Sequence, residues 1–278
     1  MAPHRLAMLA ALWSCTSEVS VVEVQGECVD AYQAQLCTWA RMQGTRVVAV
    51  GLTVPAASIE NAPDDQPMVW PPAITATLKM PEVAHRPAGL TELTVFWEAH
   101  GHPPGPYLTP HFDFHFYMIP RTERSAIDCT DETKPPVMPA GYSLPDVTLP
   151  PPLAEMARDT ILNGLCVRQM GMHSLLTAEL ENTDTFRGTM VIGYYRGLPI
   201  FIEPMLTRSL LLEKRSFDLP IPSIPGMAGA YPRAFRAEYD ARRQLYQFVF
   251  SDFTPAAQAQ RSRVARPASE LRSSSPDS

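Results

Sequence analysis

The chain has 278 residues, with 29 acidic against 23 basic side chains, a formal charge of −6 and an isoelectric point near 5.6. That balance argues against a nucleic-acid partner, because a duplex-binding face needs clustered cations to displace counterions from phosphates, and the densest basic group here is a thin one at Arg261, Arg263 and Arg266. Proline, at 29 residues, stands at about twice its ordinary usage, which excludes a helical bundle and calls for many short elements joined by stiff loops.

The opening MAPHRLAMLAALWSC has a weakly basic start (His4, Arg5), an apolar stretch over 6–13 and small residues from Ser14 to Ser17. This is the order of a short secretory signal. Leu12-Trp13-Ser14-Cys15 also resembles the lipobox of bacterial lipoproteins, which makes Cys15 a candidate lipid anchor. Residues 1–17 are therefore expected to be a signal or lipoprotein segment. No later apolar run approaches the roughly 18 residues of a membrane span.

With Cys15 set apart, four of the five cysteines remain: Cys28, Cys37, Cys129 and Cys166. Four cysteines permit three connectivities, and the sequence does not choose among them. Pairing neighbours gives Cys28 with Cys37 and Cys129 with Cys166, which suits an oxidising compartment; four buried free thiols are the alternative. No CxxC occurs, so a zinc ribbon or a thioredoxin-type motif has no support.

Along the chain, 29–42 reads as a short helix. The run TRVVAVGLTV over 45–54 is rich in β-branched residues and reads as a strand, followed by further strands over 73–80 and 93–99. Residues 130–152 carry so many prolines that they read as loop or polyproline-like connection. The segment PLAEMARDTILNGL, 152–165, reads as the one convincing helix, starting after prolines and ending near Gly164. Two hairpins follow, 189–195 with 198–205 around Arg196-Gly197, and 234–239 with 245–253, where aromatic and polar residues alternate. The Ser-, Arg- and Pro-rich tail, 254–278, reads as disordered. The expected fold is mainly β, an antiparallel β-sandwich or barrel with one or two short helices, in a single domain over 18–253.

Four of the seven histidines, His100, His102, His111 and His115, fall within sixteen positions. The run His111-Phe112-Asp113-Phe114-His115-Phe116-Tyr117 alternates strictly. In a strand the three phenylalanines face a core, and the two imidazoles, the carboxylate and the phenol face the other way. Positions two apart lie ~7 Å apart and positions four apart ~13.5 Å, so His111 and His115 share one ion only if the strand bulges or bends. Adjacent members, His111 with Asp113 or Asp113 with His115, can share one ion; in a regular strand one histidine ligates, the other lies outside the ion's immediate shell or serves a substrate, and Asp113 then either binds the metal or orients a histidine.

The remaining ligands must come from elsewhere. Glu98 and His100 share a face of the preceding strand, and His102 follows in a Gly-His-Pro turn. His173 and Glu203 sit among apolar neighbours, where an ionised glutamate is costly unless it is paired or bound to a cation. The candidate metal ligands are thus His111, His115, His173 and Glu203, with Glu98, His100, His102, Asp113 and Tyr117 as supporting residues or alternative ligands. His/Asp/Glu ligation suits a divalent transition metal: zinc, iron or manganese. Copper has weaker support from Met118, Met170, Met172 and Met205. No phosphate-binding Gly-rich loop, GxSxG elbow, HExxH or EF-hand pattern is present.

These segments resemble an uncharacterised bacterial family, a domain of unknown function with a structurally known relative controlled by an envelope-stress sigma factor in Thermus. The resemblance rests on Trp97-Glu98 through Gly101-His102-Pro103 to Tyr107, on Pro110-His111-Phe112-Asp113-Phe114-His115-Phe116-Tyr117, on Met170-Gly171-Met172-His173, and on Gly193-Tyr194-Tyr195, Glu203-Pro204-Met205 and Tyr231-Pro232. It spans roughly 45–253. It implies an exported, β-rich, ring-forming protein without an established activity. Ser174 departs from the aromatic residue usual after that histidine, and the helix-like insertion before Cys166 is peculiar to this chain.

Taken together, the sequence points to an exported protein of the periplasm, envelope or cell exterior that holds a divalent metal on a β scaffold, and it specifies no reaction. Were it an enzyme, a metal-activated water with Asp113 or Glu98 as proton acceptor and Tyr117 as donor to an oxyanion is the simplest chemistry, and a cupin-like enzyme is a neighbouring version. The competing reading is a non-enzymatic, homo-oligomeric envelope protein whose histidine row is structural.

Overall fold

The computed structural model describes residues 20–182, 186–227 and 231–253. The segments expected to be a signal or anchor (1–17) and a disordered tail (254–278) lie outside the described residues. Fifteen strands are present among the described residues: β1 Val21–Ala31, β2 Ala34–Gln43, β3 Arg46–Pro55, β4 Ile74–Lys79, β5 Glu92–Glu98, β6 His111–Tyr117, β7 Tyr142–Ser143 and β8 Val147–Thr148. The later ones are β9 Ile161–Leu162, β10 Met172–Leu176, β11 Gly188–Tyr195, β12 Leu198–Thr207, β13 Phe217–Pro220, β14 Pro232–Asp240 and β15 Leu245–Phe253. The chain is mainly β, as its alternating patterns and proline content require.

Two large sheets form, one in the order β1-β2-β3-β15-β14-β13 and the other β4-β5-β6-β12-β11-β10-β7, with β8-β9 a separate ribbon. Each large sheet ends on open edges, so the molecule is sandwich-like and not a closed barrel. Every pairing between these strands is antiparallel. The layers meet through aromatic side chains: Phe114 packs edge-on against Phe248 at 4.9 Å, and Phe116 against Phe250 at 4.8 Å. Leu52, Leu93, Val95, Ile192, Ile202 and Leu206 fill the space around them.

The opposite face of the second sheet is also buried. Loops 99–110, 120–141 and 144–171 fold over it, and Tyr107, Ile127, Leu149, Leu153 and Leu165 build a second core against Val191, Phe201 and Met205. A polar row on this face therefore lies between a sheet and a cap, away from bulk water. The cap is fixed by the disulfide Cys129–Cys166; Cys28–Cys37 staples the β1–β2 hairpin, so both neighbour pairs are formed.

Local structure differs from the sequence reading in two places. The helix expected over 29–42 is instead the end of β1, a turn and β2. Tyr32 and Gln33 take left-handed φ of 49° and 66°, as a two-residue hairpin turn requires, and Leu36, Thr38 and Ala40 point inward with period two. The helix expected over 152–165 spans only Pro151–Ala157 and ends at Arg158 in the left-handed region. Asp159 then accepts from the Ile161 amide, and the chain extends to pair Ile161–Leu162 with Val147–Thr148. Among the described residues the α-helices are all short, none exceeding seven residues. Among the described residues no helix is long and apolar enough to cross a membrane.

Candidate metal centre

Strict alternation along β6 survives folding. Phe112, Phe114 and Phe116 enter the inter-sheet core, while His111, Asp113, His115 and Tyr117 face the cap. Register then supplies their neighbours. β5 sets Glu98 beside His111, Phe96 beside Asp113 and Thr94 beside His115. On the other side, Phe201 pairs with Tyr117 and Met205 with Asp113, which brings Glu203 level with His115. His173, on β10, pairs with Gly193 and reaches across β11 towards the same point.

Two clusters result. In the first, His115 Nε2 lies 3.2 Å from His173 Nε2 and 3.4 Å from a Glu203 carboxylate oxygen, and all three side chains are buried. His173 Nδ1 is 3.0 Å from the Leu165 carbonyl and must donate to it, so its Nε2 carries a lone pair aimed at the cluster. Glu203 Oε2 and His115 Nδ1 have no hydrogen-bond partner. In the second cluster, Asp113 stands between two imidazoles, with Oδ1 3.2 Å from His111 Nε2 and Oδ2 3.4 Å from His102 Nε2. Both histidines turn Nδ1 to a backbone carbonyl, His111 to Thr109 at 2.6 Å and His102 to Pro103 at 2.9 Å.

The electrostatics follow from burial. Loss of solvent raises the Glu203 pKa well above the usual carboxylate range, with the charge of Asp113 adding to it. Burial likewise pushes His173 down to about 4 and His115 well below its usual value, so without a cation the first cluster is held neutral. The second is already polarised. Burial opposes charge at both groups, but contact between them prevails: His102 rises to about 9 beside Asp113, and Asp113, facing His111 and His102, falls far below the carboxylate range. Glu98 is pushed up to about 8 by burial, with His102 opposing and Asp113 reinforcing.

Both clusters open on one narrow cleft lined by His102, Asp113, His115, His173 and Glu203, with Trp70, Phe96, Val167 and Met170 among its apolar walls. Each offers three ligand atoms that lie within 4.8 Å of one another. These are groups that could hold a metal: two imidazoles and one carboxylate is a donor set used by zinc and by non-haem iron.

The candidate ligands are thus divided. His115, His173 and Glu203 come together; His111 joins His102 and Asp113 instead, because β6 is regular and its two histidines point to successive rows. Glu98 lies beside the second cluster. His100 does not share its face: β5 ends at Glu98, and His100 sits exposed in the turn beyond. Tyr117 is buried on the same side but does not line the cleft; its ring stacks near His115 at 5.8 Å and lies under the Arg124 guanidinium. Of the methionines considered for copper, Met170 and Met205 line the cleft, and Met172 faces the inter-sheet core.

Sequence reasoning does not reach the three carbonyls, of Pro103, Thr109 and Leu165, that fix the imidazole tautomers. It also misses the buried Glu92, held by Arg121 at 2.5 Å and Arg124 at 3.0 Å, although an Arg-Thr-Glu-Arg run directly after the β6 strand is a visible trace of it. The architecture and the site together define a mainly β, sandwich-like protein with buried His/Asp/Glu groups able to hold a metal. No family model matches the chain, and no curated protein or solved structure does either.

Proposed function

We propose that this is an exported metal-binding protein, with a divalent transition metal held by His115, His173 and Glu203. One observation carries the reading: two imidazole nitrogens and a carboxylate oxygen converge in a buried pocket, with the His173 lone pair directed inward and Glu203 Oε2 lacking a hydrogen-bond partner. A buried polar atom left without a partner costs on the order of 1–3 kcal/mol, and a cation at this point satisfies all three groups at once. The donor set suits zinc, iron(II) or manganese. Three protein ligands leave coordination positions facing the cleft, which favours an accessible ion over a closed structural one. Export is supported by the two disulfides and by the N-terminal segment. The motif resemblance to the envelope-stress family belongs with this reading and adds no activity to it.

Elemental analysis of untagged protein purified without chelator tests the proposal. The expected result includes one equivalent of zinc, iron or manganese that is lost in folded His173→Ala and Glu203→Gln variants. Metal-free wild-type protein that takes up none of these ions on incubation overturns it.

A further inference from the structure

The second cluster satisfies the same physical test by a separate route. Thr109 O and Pro103 O each face an imidazole Nδ1, and a carbonyl can only accept, so both Nδ1 atoms carry protons. In the neutral imidazoles the Nε2 atoms then carry lone pairs, and each points at an oxygen of Asp113. Lone pair facing lone pair is repulsive. His111 Nε2 and Asp113 Oδ1 are buried and lack hydrogen-bond partners, with His111 fully buried and Asp113 only 3% exposed. Something positive must lie between these atoms: without a metal it is the proton that His102 carries beside Asp113, and a divalent cation can take its place and serve His111 Nε2 as well.

From this geometry we infer that His102, His111 and Asp113 bind a second divalent cation, so that the cleft holds two ions. The inference goes beyond the proposed function and shares no ligand with it. Each ion meets one carboxylate, Asp113 here and Glu203 at the first cluster, so both leave positive charge towards the cleft. Because Asp113 and His115 are two residues apart on one strand face, their Cα atoms are ~7 Å apart and the two sites lie side by side without sharing a carboxylate.

The test is a cobalt(II) titration of the chelator-stripped full chain, followed by its d–d absorption and by bound-metal analysis after dialysis, in wild type and in His102→Ala, His173→Ala and the double variant. His102 is partly exposed in a turn, so its removal leaves the core filled; His111→Gln provides a second probe, and thermal melts confirm folding. Two equivalents in wild type, one in each single variant and none in the double variant is the expected pattern. One equivalent in wild type, lost with His173 but kept without His102, overturns the second site and leaves the first standing. One equivalent lost only with His102 does the reverse. No bound cobalt in folded wild type sinks both, and identifies the cation beside Asp113 as a proton on the imidazoles.

Discussion

The ring of Phe201 occupies the space over Gly193 that a side chain would need: a Cβ built on Gly193 falls 1.9 Å from a Phe201 ring carbon. Phe201 in turn packs against His115 at 4.7 Å and His173 at 5.1 Å. Glycine at 193 therefore sets the position of the aromatic wedge that holds two imidazoles at the first cluster. Gly193→Ala is expected to cost about 1–3 kcal/mol, the usual range for overpacking, and to weaken cobalt binding at the His115 cluster while sparing the His102 cluster. Chemical denaturation and metal titration of the same variant check the two effects separately.

Beneath the site, Glu92 is buried between Arg124, itself buried, and Arg121, which is about half exposed. Arg124 also donates to the Gln169 carbonyl and lies over Tyr117, so it ties the cap to the sheet. Arg124→Ala leaves the Glu92 carboxylate without its buried partner and is expected to destabilise by about 3–5 kcal/mol. Arg121→Ala removes an exposed partner and should cost no more than about 1 kcal/mol. Urea unfolding of the two variants measures the difference; equal losses contradict this account of the pair.

How much of this could be read in advance depended on whether local pattern or tertiary pairing decided it. The 111–117 strand was legible, because period-two alternation of Phe with His, Asp and Tyr fixes which face is core whatever sheet the strand joins. Both late hairpins were legible for the same reason, with Arg196-Gly197 marking a turn that takes φ of 51° and 71°. The 29–42 segment was not, since its turn uses Tyr32 and Gln33, residues that give no turn signal. The site was visible as residue types and not as groupings: that His111 belongs with His102 and His115 with Glu203 follows from strand register, which spacing within one strand does not reveal.

A pH dependence is expected at the edge of the cap, where the Tyr107 hydroxyl donates to Glu179 Oε2 at 2.8 Å. Burial raises the Glu179 pKa above its ordinary 4.5, with the hydrogen bond from Tyr107 opposing. A carboxyl with a raised folded-state pKa binds more protons folded than unfolded over that interval. Its contribution to stability is fully present below 4.5 and is lost as pH rises through the folded value. Glu179→Gln keeps an acceptor for Tyr107 and cannot ionise. Its unfolding free energy should therefore fall less than that of wild type between pH 4.5 and 7, measured by urea titration across the series.

The Cys129–Cys166 disulfide links the cap to the site through its own neighbours. Leu165 and Val167 flank Cys166 and line the cleft, and the Leu165 carbonyl fixes the His173 tautomer. Its cysteines are 37 residues apart, for which the chain-entropy relation gives about 4 kcal/mol of stabilisation. Cys129→Ser with Cys166→Ser is expected to lower stability by up to that amount and also to weaken metal binding at His115–His173–Glu203, because the carbonyl that holds the His173 lone pair inward is no longer anchored. Removing Cys28–Cys37, which staples the β1–β2 hairpin at the edge of the other sheet, is the control. It should reduce stability without changing the cobalt affinity of either cluster. Equal losses of affinity in both double variants would show that the disulfide acts on the site only through global stability, and not through the position of Leu165.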